Sequence, residues 1–298
     1  MKLRHDIEHD LEHTIPPAGG PDSQWLFRTM TARSLAWVDA ARGQCLVDLA
    51  CGMGQDTLAL AERARDAVVA QNGEPAGRRF VLGIEPSNRM IRFGQQVQRQ
   101  RRQGPGAERS RRARAAGQAG SSLSAGSSLS AEDPLRLVRG LGEEIPLRSD
   151  SVDALLCKGA LDHFMDPALT VREIGRVLKP GGRAVIALAN YESLSCRLGR
   201  WLERGRPRGK GADHPYYEPP PDHLTRFTYA TIIALTQPPL RTRKVEGLSL
   251  LWGFPPWGRL LGLLPAPMQG MALRLAGGVA RWRPAWADVV LLVAEKAP

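Results

Sequence analysis

The chain has 298 residues, with 41 Lys and Arg against 30 Asp and Glu and a formal net charge of +11. That length can bury a large core without disulfides, and 31 Gly with 23 Pro, about 18% of the chain against about 12% on average, argue against a compact helical bundle. No apolar run reaches the ~20 residues of a spanning helix, the opening MKLRHDIEHD lacks a secretory apolar core, and Cys45, Cys51, Cys157 and Cys196 show no C-x-x-C spacing; a reduced, cytoplasmic protein is expected.

Residues 1–43 read as a helical cap. Its start, HDIEHDLEH, carries two overlapping H-x-x-E-H patterns, a spacing used by some zinc peptidases. On a helix His5, His9 and His13 would share one face, but Leu3, Ile7 and Leu11 form an apolar stripe at the same spacing. An amphipathic helix is expected there, and no metal. Residues 44–49 then read as a buried strand, 57–69 as a helix, 79–84 as a second strand and 88–102 as a second helix.

Residues 99–114 hold seven Arg and one Glu, and run into the tract GQAGSSLSAGSSLSA. Such composition has too little apolar surface to offset its ordering entropy, so residues 104–133 read as a disordered basic insertion. No aromatic residue lies between Phe93 and Phe164, so the stacking platform of a single-strand binder is missing. A second basic cluster, residues 200–210, has four Arg and Lys210 against Glu203; without the two clusters the rest of the chain is near +1. The charge belongs to two segments and is weak evidence for a nucleic-acid partner.

Strands follow at 135–139 and 152–157, a helix at 167–178, a sharp stop at Lys179-Pro180-Gly181-Gly182, and a strand at 183–189. The last third is rich in Pro and Trp, with strand-like runs at 240–251 and 287–295. Strands alternating with helices predict an α/β fold with a parallel sheet and crossover connections.

The stretch VDLACGMGQD, residues 47–56, ends a strand at an acid, turns through small residues and opens a helix. Gly52 and Gly54 let backbone approach a ligand closely. A dinucleotide fingerprint would need glycine where Thr57 stands. An acid beside the turn suits a cationic, phosphate-free ligand, and Glu85, in GIEPS at the end of the second strand, can bind a pair of ribose hydroxyls.

On these residues the chain resembles the class I S-adenosylmethionine-dependent methyltransferases, in the branch that includes quinone-biosynthesis-type enzymes. DLACGMG looks like the first family motif with Ala50 in place of its first glycine, and GIEPS is similar to the second. GEEIPLRSDSVD (142–153), LCKGALDHFMDP (156–167) and RVLKPGGR (176–183) resemble the later ones in order. The resemblance implies a Rossmann-like, doubly wound, mostly parallel seven-stranded sheet with helices on both faces. It implies a methyltransferase domain over residues 44–298, with an acceptor-side lid at about 191–285. The cofactor would be S-adenosyl-L-methionine, its methionine part held by Asp48, Ala50, Gly52 and Gly54, its ribose by Glu85, and its adenine beside Gly142 or Glu143. Leu141 stands where the family often has an acid, so adenine recognition falls to backbone groups or Glu143. Lys158, Gly159 and Asp162 would lie where cofactor meets acceptor; a strand end with a solvated lysine and a capping aspartate is the plainer alternative.

Methyl transfer from a sulfonium is an in-line displacement that needs alignment and dryness more than a covalent nucleophile. A base helps when the acceptor is a hydroxyl or another weakly acidic group, with O-, N- and C-methylation all left open, and His163 and His223, the latter in DHLTRFT, are the candidates; each could equally be a structural, hydrogen-bonded histidine. Acceptor contacts are expected from Trp25 and Phe27 and from Tyr216 and Tyr217. The apolar stretch LLWGFPPWGRLLGLLP either packs on the sheet or touches lipid, with residues 200–210 facing anionic headgroups. The expected partner is a small-molecule or lipid-like acceptor, with peripheral membrane contact, and not nucleic acid. The alternatives are a nucleic-acid methyltransferase using the Arg-rich insertion and a non-catalytic cofactor-binding scaffold.

Overall fold

In the computed structural model, residues 20–38, 45–70, 80–103, 136–204, 215, 217–220, 222–236 and 240–298 are described. The histidines at 5, 9 and 13, the insertion at 104–133, residues 205–210 of the second basic cluster and Tyr216 lie outside them.

Seven strands, β1 (Cys45–Leu49), β2 (Phe80–Glu85), β3 (Leu137–Arg139), β4 (Val152–Lys158), β5 (Leu178–Ala189), β6 (Leu240–Gly247) and β7 (Val289–Lys296), form one sheet in the order β3-β2-β1-β4-β5-β7-β6. The pairs from β3 to β5 are parallel, whereas β7 runs antiparallel between β5 and β6. The mostly parallel sheet expected from the alternation is therefore present, closed at one edge by an antiparallel pair. The helices are α1 (Pro21–Val38), α2 (Gln55–Ala70), α3 (Asn88–Gln103), α4 (Pro167–Val177), α5 (Leu194–Leu202), α6 (Tyr229–Leu235), α7 (Pro255–Leu263) and α8 (Ala266–Trp282).

Residue parity along the strands splits the core into two faces, because successive side chains alternate across a sheet. Val47, Leu49, Leu155, Cys157, Ile186 and Leu188 pack with Val171 and Ile174 of α4 and Ile232 of α6. Leu46, Ala154, Leu156, Val185 and Ala187 pack with Leu26, Met30, Leu35 and Val38 of α1 and Leu60 and Ala64 of α2. These strands are buried on both sides, which is why they read as nearly continuous apolar runs.

Helix starts follow capping chemistry. The Asp166 carboxylate accepts from the Leu169 amide ahead of α4, and Thr228 with Thr231 forms a reciprocal capping box at α6. The helix ends at Val177, ahead of Lys-Pro-Gly-Gly as expected, but those four residues already belong to β5, which begins at Leu178 and not at 183, and Gly181 takes a left-handed φ of 74° there. The last third differs from its sequence reading, because the Pro-rich stretch forms α7 and α8. Its prolines sit at the N-cap or the first two helical positions, where a missing N–H costs no hydrogen bond.

Candidate functional site

The strand order reverses direction between β1 and β4, and ligands of open α/β sheets bind at the carboxyl ends of strands flanking such a switch. A cavity of about 750 Å³ lies there, walled by Gly52 after β1, Glu85 at the end of β2, Gly159 after β4 and Ala189 at the end of β5. Leu26, Phe27 and Met30 of α1 supply an apolar wall, while Asp162, His163 and His223 form a polar one.

The β1 loop is tightly wound. Ala50, Gly52 and Gly54 have left-handed φ values of 55°, 54° and 75°. Ala50 holds at some strain a conformation that glycine adopts freely. The Gly52 amide donates to Glu85 Oε2 at 2.8 Å and the Ser87 amide to Oε1 at 3.0 Å, so one buried carboxylate ties the first loop to the second. On the far side Gly142 narrows the cavity: a Cβ there would meet the Phe164 ring at 2.8 Å. Glu143 also lines the wall, its Oε1 accepting from the Met165 and Asp166 amides at 2.9 and 3.3 Å. Glu143 therefore steadies the neighbouring turn. The cradle, with a fixed carboxylate and an open glycine backbone, fits the ribose and methionine ends of S-adenosylmethionine.

Asp48 lies behind the loop, with Thr57 Oγ1 donating to its Oδ2 at 2.7 Å. Burial, helped by the charge of Asp56, pushes its carboxyl from about 3.8 up to about 7, against the Thr57 bond and Lys158. A carboxyl raised by folding is ionised at a cost in stability that grows as pH climbs from its unfolded value to its folded one and stays constant above. Asp48→Asn is expected to stabilise the free protein by a few kcal/mol above pH 7 and to weaken cofactor binding; thermal melts and calorimetry at two pH values check both. Unchanged melting and unchanged affinity would remove Asp48 from the site.

Five expected contacts stand off the cavity wall, Asp48 and Gly54 behind the β1 loop and three others elsewhere. Lys158 has the parity of Ala154 and Leu156, so it points toward α1 and α2, where Nζ pairs with Asp56 and donates to Thr31 Oγ1 at 2.8 Å. The Trp25 ring rests against Gly277 of α8, and its neighbours Leu26 and Phe27 reach the cavity instead. Tyr217 is buried with Tyr191 and Cys196, and its hydroxyl donates to Glu203. Arg200, read as facing headgroups, is turned inward to the Tyr191 carbonyl and Glu192.

The polar wall comes from segments far apart in sequence. Asp162 sits in the one-turn helix after β4, and His223 arrives from the chain between α5 and α6. Asp162 Oδ2 is 2.8 Å from His223 Nδ1, and the Tyr191 hydroxyl lies 3.2 Å from the same nitrogen. The His163 ring stands edge-on to His223, centroids 4.4 Å apart, with Nδ1 3.3 Å from the Asp222 carbonyl. Burial opposes the charged form of His223, yet the bond to Asp162 and its charge outweigh burial and raise it above its ordinary 6.5. Burial dominates at His163 and lowers it. Asp162, also opposed by burial, is held below the usual carboxylate range by His223.

Among the described residues, Asp162 Oδ1 is buried without a hydrogen-bond partner. A donor atom from each of Asp162, His163 and His223 lies within 4.8 Å of the others, the spacing a metal would also need. A metal on His223 Nδ1 would break the short bond to Asp162, whereas one on Nε2 would leave it intact, so the arrangement suits either an acid–imidazole pair or an imidazole ligand held by a carboxylate. Burial raises the thiols of Cys51, Cys157 and Cys196, so none is poised as a thiolate nucleophile.

Tyr191, Asp222 and Asp288 were not singled out from the sequence. Asp288, before β7, accepts from Ser249 Oγ at 3.0 Å and the Trp252 amide at 2.8 Å and fastens the floor of the cavity. Burial raises its carboxyl to about 6.

A glycine loop and a ribose-side acid at the ends of the first two strands, on a sheet closed by one antiparallel strand, define the class I methyltransferase fold. Residues 47–186, somewhat under half of the chain, match the family model described as methyltransferase domain, which supports the class I S-adenosylmethionine-dependent methyltransferase reading. An uncharacterized methyltransferase of Mycobacterium bovis is 42% identical over 74 residues, covering 25% of this chain and 29% of that protein, so the match spans less than a third of the relative's length. The PH0226 protein of Pyrococcus horikoshii OT3 superposes with a TM-score of 0.51 at 14% identity, over 93% of this chain and 92% of that one. The [4+2]-cyclase SpnF superposes with a TM-score of 0.50 at 20% identity, over 90% of this chain and 80% of that one. At such identities the likeness shows the fold alone, and the chemistry must be argued from the site.

Proposed function

We propose that the chain transfers a methyl group from S-adenosylmethionine to a hydroxyl of a hydrophobic, lipid-like acceptor, with His223 as general base. The observation that carries this reading is the Asp162–His223 pair, 2.8 Å apart, in a cavity whose other wall is apolar. Ala50, Gly52 and Glu85 hold the methionine and ribose ends on the cavity wall, with Asp48 and Gly54 shaping the loop behind them and Gly142 against the adenine. Bound there, the cofactor supplies an electrophilic methyl on sulfur and a neutral leaving sulfide.

His223 donates from Nδ1 to Asp162, which leaves Nε2 to accept the acceptor's proton. Asp162 stabilises the imidazolium so formed, and Tyr191, whose phenol burial holds above its ordinary range, stays neutral and helps fix the ring. The unpartnered Oδ1 of Asp162 offers a bond to a donor on the bound molecules. The helices between β5 and β7, with α1, exclude water from this reaction. A lipid-like acceptor resides at a bilayer, so peripheral membrane contact is part of the same proposal. An apolar wall is poorly suited to a nucleic-acid backbone.

The test is the pH dependence of turnover. His223 works only when neutral, so the rate is expected to rise with pH through a midpoint above 6.5. In Asp162→Asn the largest raising influence is gone while burial and the weaker pull of Asp222 remain, so the midpoint moves to lower pH and the maximal rate falls. A midpoint that stays put in the variant would contradict the assignment.

A further inference from the structure

Helix α8 carries two apolar faces. Leu273, Gly277 and Ala280 are buried, Gly277 against Trp25 of α1 and the Ala280 carbonyl against Gly247 of β6. Met268, Met271, Leu275, Val279 and Trp282 are exposed in the described structure. They recur at three- and four-residue spacing, which at 100° per residue confines them to an arc of about 80° opposite the buried side. Helix α7 adds Leu260 and Leu263. Leu263, Leu275 and Trp282 are 83%, 66% and 69% exposed, values far from those of core side chains.

The charge of the segment that builds this face has one sign. Residues 247–287 contain Arg259, Arg274, Arg281 and Arg283 and no Asp or Glu. They also hold four of the seven tryptophans, Trp252, Trp257, Trp282 and Trp286. Arg283 stacks on the Trp282 ring at 4.3 Å. Among the described residues no helix is long and apolar enough to cross a membrane. An exposed apolar stripe whose own segment is charged by arginine alone and carries tryptophan matches a helix lying in the plane of an anionic bilayer.

We infer that the α7–α8 face docks the protein on the surface of an anionic phospholipid bilayer, its apolar stripe in the headgroup–acyl boundary and its arginines on lipid phosphates. The face adjoins the cavity. Trp252 and Gly253, which lead into α7, are part of the cavity wall, and α1, which supplies Leu26, Phe27 and Met30, packs against both helices. Docking would place the cavity beside the membrane from which a lipid-like acceptor leaves. That role rests on the function proposed above; the docking does not.

Vesicle sedimentation tests it with the full chain and no acceptor, so its failure is separable from failure of the methyl-transfer reading. Vesicles of phosphatidylcholine with phosphatidylglycerol should bind the protein, more weakly as salt rises, and phosphatidylcholine alone should bind at least about tenfold less. Leu263→Glu with Leu275→Glu should lose at least about tenfold in binding while S-adenosylmethionine affinity by calorimetry is unchanged. Should that variant not fold, brominated acyl chains should quench the wild-type tryptophan fluorescence, and Trp282→Phe should lose part of the quenching. No vesicle binding, or equal binding by the Glu variant, overturns the inference. A wild-type dimer that the Glu variant converts to monomer, without vesicle binding, would assign the face to a second copy and overturn it too.

Discussion

His223→Ala is expected to lower turnover by about 10²–10³ while leaving S-adenosylmethionine affinity within about twofold. The imidazole belongs to the polar wall, fixed by Asp162 at 2.8 Å and Tyr191 at 3.2 Å, whereas the cofactor cradle is built from the β1 loop and Glu85 on other elements. A purely structural role predicts a different pattern, with a lower melting temperature and weakened cofactor binding together. Added imidazole distinguishes the two further, because partial rescue of a His223→Gly variant requires the ring's chemistry and not its packing. Equal loss of affinity and rate, without rescue, would remove His223 from the reaction.

Glu85→Gln is expected to weaken S-adenosylmethionine binding by about 100-fold, about 2.7 kcal/mol. The two Glu85 oxygens accept from the Gly52 and Ser87 amides, so the carboxylate both shapes the first loop and faces the cavity. A glutamine must turn its NH₂ toward one of those amides, which sets donor against donor and loosens the loop. It also removes the negative charge that strengthens bonds to the ribose hydroxyls. The loss should fall on KM for the cofactor, with kcat at saturation changed far less. Calorimetry measures it directly, and an affinity within about threefold of wild type would mean that Glu85 does not hold the cofactor.

The parts of the site that could be read from the sequence are those held together by short-range rules. The acid, the small-residue turn and the helix start at residues 47–56 are contiguous, and Glu85 is placed by its strand end, so both ends of the cradle were visible. The end of α4 ahead of Lys-Pro-Gly-Gly follows a backbone rule and fell where expected. Lys158 was legible in principle, because parity with Leu156 directs it to the α1 side, but proximity to the motif suggested otherwise. The polar wall was only half visible: His163, His223 and Asp162 were named singly, while Tyr191, Asp222 and Asp288 meet them or the cavity only through the fold. Helices α7 and α8 were hidden by their prolines, which look like breaks until seen at first-turn positions. The exposure of the α8 stripe could not be read either, since an apolar helical spacing does not say which of two apolar faces meets the core.

The most direct test of the account is transfer of label from methyl-tritiated S-adenosylmethionine to lipid extracts supplied to the purified chain. The account predicts label in the organic phase as a base-stable methyl ether, dependent on His223 and abolished when the cofactor cradle is disrupted. Tight cofactor binding with no transfer to any hydrophobic hydroxyl compound, or transfer that His223→Ala leaves intact, would contradict it.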